Sequence, residues 1–261
     1  MMGRIWAAYA VELTKALRHK YTYVGPALLA VAVAVCLALR PVARDGVGDY
    51  GFVAVATAIA SSLLGLIVLL VYGAGLVASE PYGALRHSLT RPVARHELLL
   101  AKAALGMTYA AVLTLTTGGT AWALAYLLGD LTGVACGGEL VFPAGDMISA
   151  YVLGALLVLA PQWAAVAYAL FWSTCVRNPI VAAVLAVSFW AVVDAIKYPL
   201  GIDAYLFSSY IERPWEVFAA RVDGLDASWF PMAWQCLAAS LGGWCVFTAA
   251  AVARFHRRDF A

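Results

Sequence analysis

Polar residues interrupt this chain in short clusters separated by long apolar runs. Stretches free of Asp, Glu, Lys and Arg cover residues 21–39, 50–79, 103–129, 147–176, 178–193 and 230–253. A helix of about 20 apolar residues crosses a hydrocarbon core of roughly 30 Å, so the pattern predicts six membrane-spanning helices. The fifth run is short and continues through Asp194 and Lys197 to Pro199. The predicted spans are therefore 21–39, 50–79, 103–129, 147–176, 178–199 and 231–253. At about 1.5 Å per residue the second is about 45 Å long and should project beyond the bilayer.

Polar punctuation defines the rest. In residues 3–20, Ile5, Tyr9, Leu13 and Leu17 share one helical face, while Glu12, Lys15, Arg18 and His19 share another. That periodicity suits a helix lying in the headgroup layer, with Trp6, Tyr21 and Tyr23 at interfacial depth. The alternative is a plain cytosolic extension of the first span. No short apolar core with a small-residue cleavage site occurs, so a cleaved signal is not expected. Pro161-Gln162 predicts a kink inside the fourth span, with Gln162 a candidate pathway residue. Thr114, Thr116, Thr117 and Thr120 beside Gly118-Gly119 read as close helix packing more than as a pore. Arg177-Asn-Pro makes a tight turn between spans four and five. Asp194 and Lys197, three apart on one helical face, can pair or can contact a substrate. Residues 200–230 carry Tyr205, Phe207, Tyr210, Trp215, Phe218, Trp229 and Phe230 among acids. They are expected as short re-entrant helices, either a lipid-contacting cap or an interfacial belt.

Composition agrees: 64% of residues are hydrophobic and 12% charged, which excludes an ordinary soluble domain. The formal net charge of +2 conceals an asymmetry. Twelve basic residues and four acids fall on the side of the two termini, the 80–102 segment and Arg177; five basic residues and eleven acids fall on the other, a net of +8 against −6. Basic residues near span ends stay inside, so both termini are expected in the cytoplasm and the protein in the cytoplasmic membrane. The five cysteines show no CxxC spacing and read as apolar filler, with Cys36–Cys236 a disulfide possibility. No G-x-x-x-x-G-K-[ST], H-E-x-x-H or G-x-S-x-G motif occurs. No catalytic residue, metal site or cofactor is assigned to the chain, and nucleic acid is not an expected partner.

Between spans two and three, residues 80–102 are short, basic and punctuated. Leu85 and Leu89 form an i, i+4 pair flanked by Arg86, His87 and Arg91, consistent with a short helix parallel to the membrane that Pro92 ends. Glu80, Gly83, Leu85, Leu89, Arg91-Pro92-Val93, Arg95, Leu99 and Lys102 resemble the pattern of the ABC-2 type permease family, and the topology resembles it throughout. The tail Phe255-His-Arg-Arg-Asp-Phe resembles the branch of copper-related and gliding-motility permeases. The resemblance implies an all-α polytopic permease of the type V exporter-like fold, with an N-terminal interfacial helix and a cytoplasmic coupling helix. It implies a homodimer served by two copies of an ATP-binding subunit that holds ATP and magnesium, with membrane lipid and an extracytoplasmic accessory protein as further partners. Glu80, Tyr82, Gly83, Leu85, Arg86, Leu89, Arg91, Pro92 and Arg95 would then couple the ATPase to the membrane. Export or handling of an amphiphilic, lipid-like substrate is the expected function. Alternatives are force or signal transmission without translocation, a secondary transporter, for which no inverted repeat is visible, and an intramembrane enzyme.

Overall fold

The computed structural model describes residues 2–39, 49–79, 94–129, 131–136 and 139–257. Eight α-helices, two short 3-10 helices (Asp203–Tyr205 and Phe207–Tyr210) and one hairpin make up the described fold: α1 (Met2–Arg18), α2 (Tyr21–Ala38), α3 (Asp49–Ala78), α4 (Arg95–Leu128), β1 (Gly133–Cys136), β2 (Glu139–Pro143), α5 (Ala144–Cys175), α6 (Pro179–Ile196), α7 (Arg213–Val222) and α8 (Phe230–His256). Six of them, α2 to α6 and α8, are long and apolar enough to cross a membrane. The predicted six-span, mostly helical architecture is therefore the observed one. The small antiparallel hairpin β1–β2 is an addition that its short, half-apolar sequence did not announce.

Helices α3, α4 and α5 form the centre, each more than half buried across its apolar window. Against them lie α2, α6 and α8, each less than a quarter buried. The central α5 touches α3, α4, α6, α7 and α8. Its approach to α3 depends on small residues: a Cβ on Gly73 would stand 2.8 Å from the Ala169 methyl. Helix α5 runs on through Pro161. Proline has no N–H to give the carbonyl four residues earlier, and the Cys236 thiol of α8 points at that Leu157 oxygen, 3.7 Å away. This use of Cys236 corrects the disulfide possibility: Cys36 and Cys236 are both free.

Helix α4 begins at Arg95, so the last eight residues of the 80–102 segment form its first two turns. Glu97 supports that start by accepting the Ala94 N–H at 2.9 Å. Helix α3 is α-helical to Ile59, makes a π turn over Ala60–Leu64 and returns to α at Gly65. A side chain at Gly65 would crowd the Ala60 carbonyl, with its Cβ 2.9 Å from that oxygen.

The aromatic segment after α6 faces inward. Tyr210, Trp215 and Phe218 are buried, and both Trp215 and Phe218 lie 5.4 Å from the Tyr151 ring of α5. Only part of the segment, such as Tyr205 and Phe230, is exposed. Helix α7 thus caps the bundle by packing on α3 and α5. A 2.8 Å bond between Arg213 and Asp203 holds its start, and the Arg213 guanidinium stacks on Tyr210.

Candidate functional site

The basic end of the bundle gathers α1, the end of α3, the start of α4, the α5–α6 turn and the end of α8. Of the residues expected to couple an ATPase, Glu80, Tyr82, Gly83, Leu85, Arg86, Leu89, Arg91 and Pro92 lie outside the described residues. Arg95 is described. Its Nη1 donates to the His256 carbonyl at 3.1 Å, tying the start of α4 to the last turn of α8. Both flanks of residues 80–93 are held. On the α3 side, Ser173 Oγ accepts the backbone N–H groups of Val77 and Ala78 at 2.9 and 3.0 Å. At the α5–α6 turn, the Asn178 side chain caps α6 by accepting the Ile180 N–H, with Pro179 in the first turn.

Next to this junction lies a cluster that sequence reasoning missed. Glu12 is the most buried described side chain of α1, although its face was expected to be the polar one. Lys102 of α4, 1% exposed, donates to Glu12 Oε2 at 2.9 Å, and Lys15 donates to Oε1 at 2.6 Å. Burial by itself would raise the Glu12 carboxyl pKa, but the charges and hydrogen bonds of Lys102 and Lys15 outweigh it and hold the pKa below the ordinary 4.5. Nearby, Tyr9 and Thr108 share a 2.9 Å hydroxyl bond. The docking face of α1 is therefore rotated from the predicted one, and Leu17, assigned to it, is 55% exposed. The available signal was spacing: Glu12 falls three residues after Tyr9 and four before Ala16, in line with the stripe that packs.

The other candidate residues separate. Gln162 lies in the α4–α5 seam, where its Oε1 accepts the Thr114 hydroxyl at 2.8 Å. Thr114 and Thr117 are buried there, while Thr116 and Thr120 bond back to their own helix. At the opposite, acidic end, Lys197 donates to Asp194 at 2.6 Å; the lysine side chain is 4% exposed and the aspartate 35%. Lys197 Nζ also lies 4.9 Å from the Tyr198 ring centre.

A groove of about 530 Å³ runs between α3 and α6, open to the surroundings. Ile67 and Val71 line one wall; Ile180, Val184, Val187 and Ser188 line the other. Its α3 wall begins just after the π turn. The groove has the chemistry of a hydrocarbon chain's environment, with one hydroxyl as its polar handle.

Six apolar helices, three of them forming a packed centre, preceded by an amphipathic N-terminal helix, make up a multi-pass membrane protein. Residues 9–192 match the model of the ABC-2 family transporter proteins, and the chain belongs to that family. Members of that family generally work with an ATP-binding subunit. No curated protein matches the chain. The matched range contains Glu12, Lys102, residues 80–95 and Gln162, and stops short of Asp194, Lys197 and the tail.

Proposed function

We propose that this protein is the membrane subunit of an ATP-driven transporter that exports or handles an amphiphilic, lipid-like molecule, with energy from a separate ATPase. The observation that carries the substrate class is the apolar groove between α3 and α6, open at the side and lined by aliphatic side chains. An ion would have to leave its hydration shell there without replacement ligands, whereas an acyl or prenyl chain leaves water favourably. The ATPase, with its ATP and magnesium, docks on Glu80, Tyr82, Gly83, Leu85, Arg86, Leu89, Arg91, Pro92 and Arg95. Support comes from the tethers on either side of that segment, Ser173 of α5 against the end of α3 and His256 of α8 against Arg95, which would carry a push at 80–93 into α5 and α8. In this reading two ATPase copies serve a homodimer, both termini are cytoplasmic, and an accessory protein meets the acidic end. The narrower copper-related and gliding-motility branch rests on the tail motif. Gln162 braces the seam beside the pathway, and Asp194–Lys197 fixes the outer end of α6.

Purification from native membranes tests this reading: an ATPase should copurify, and mass spectrometry of retained ligand should find an amphiphile. A preparation with no ATPase at any stage, or one holding only small polar solutes, would overturn it. Replacing Glu80 or Leu89 should detach or uncouple that ATPase. Unchanged binding and turnover in both variants would remove the docking assignment.

A further inference from the structure

Glu12 and Lys102 are 90 residues apart, the first on α1 and the second on α4, the helix that follows the proposed coupling segment. Lys102 sits on the second turn of α4, directly after residues 80–93. Glu12 is the buried centre of α1, whose neighbours Trp6, Val11 and Leu17 are exposed. An apolar contact at this position would let α1 rotate or slide on α4 at little cost. A carboxylate held at 2.9 Å by a buried ammonium fixes both its rotation and its height. A second tether, Tyr9 to Thr108, lies about one turn away along α1 and removes the remaining freedom to pivot.

Beyond Arg18 the rigidity continues. Thr22 Oγ1 donates to the Ala16 carbonyl at 2.8 Å and Tyr23 Oη to the Leu17 carbonyl at 2.9 Å, so side chains of α2 bridge the break between the two helices. The start of α4, α1 and α2 are thereby joined by polar contacts at each step. We propose that Glu12 is a positioning residue for energy input: through Lys102 it locks α1 to the entry of α4, so that a push on residues 80–93 moves α1 and α2 as well as the two spans which that segment joins. This rests on residues 80–95 being the coupling segment. It adds a third route, into the outlying helix α2, to the two that chain connectivity supplies.

The test uses the full chain purified from native membranes with whatever ATPase it retains. Variants are E12Q, K102M, the conservative E12D and the charge exchange E12K/K102E. Hydrogen exchange is read over Met2–Arg18 and over residues 80–102, and ATP turnover over a range of ATP concentrations. E12Q and K102M should raise exchange at least tenfold in both segments. They should also lower kcat at least threefold, with KM for ATP and the amount of copurified ATPase unchanged. E12D should recover most of both effects, and the charge exchange, which sets a lysine beside Lys15, should recover part of them. Unchanged exchange in Met2–Arg18 would show that the pair does not hold α1. A rise confined to Met2–Arg18, with 80–102 and kcat as in the parent, would make α1 a passive anchor and reject the positioning role. Should the parent retain no ATPase, the proposed function fails, while exchange over 80–102 still decides whether Glu12 positions that segment.

Discussion

Asp194 and Lys197 show what one residue pair can reveal. Their i, i+3 spacing made the contact legible in the sequence, because a helix brings such positions together whatever the fold. Burial was not legible, since it depends on which elements surround the lysine. With Lys197 almost fully buried, removing its partner strands an ammonium. Breaking a well-buried pair costs about 3–5 kcal/mol, and the partly exposed Asp194 places this one toward the lower figure. D194N should therefore lower the thermal stability of the purified protein more than K197M does, and the double variant less than the sum of the two. Additive losses, with transport affected beyond stability, would instead mark separate roles and a cargo contact. Glu12 gives the opposite lesson, because its partner is remote in sequence and no local pattern could name Lys102. Its depressed pKa has a definite consequence. A folded-state value below the unfolded one contributes stability that is present above about pH 4.5 and is lost as pH falls through the depressed value. The groups acting on it are Lys102 and Lys15. Exchange over α1 should thus stay slow into mild acid and rise only below that range, and E12Q should show no such transition. A transition in the parent near neutral pH would mean that the pair is not formed.

At the scale of elements, hydropathy found every span, because twenty consecutive apolar residues have few alternatives to crossing a membrane. What it could not find were features set by tertiary contact. The π turn of α3 over Ala60–Leu64 lies inside a long uncharged run, and its signals, Ser61-Ser62 and Gly65, are residue types common throughout the chain. The aromatic segment was legible as aromatic but not as inward-facing. Rings suit a membrane interface and a protein core about equally, and only the placement of α7 over Tyr151 decides between them. Trp215 is 1% exposed within this cluster, so W215A should cost about 3–5 kcal/mol through lost burial and the cavity left behind. F230A, at a ring that is 83% exposed, should change the melting temperature little. Equal effects in the two variants would mean that α7 does not pack as described. The residues proposed to couple an ATPase present the reverse case. Their motif was legible in the sequence, yet of that set Arg95 alone is among the described residues, with Ser173 and Glu12 as neighbouring anchors.

For the whole molecule, the charge division in the sequence has a counterpart in the fold. The basic groups of α1, the start of α4, Arg177 and the last turn of α8 gather at one end, while Asp194 in the last turn of α6, and Asp203, Glu212 and Glu216 before or within α7, lie at the other. Translocating Lys and Arg during insertion is disfavoured, so the net +8 against −6 supports the proposed orientation, with the basic end inside. The proposed orientation would decide which end can meet ATP. In a background without the native cysteines, single cysteines at Asp45 and Glu139 should react with an impermeant maleimide applied to intact cells. One at Arg91 should react only after the membrane is opened. Labelling at position 91 from outside, with 45 and 139 silent, would invert the topology. It would put the proposed coupling segment beyond the reach of any cytoplasmic ATPase and remove ATP-driven transport along with it.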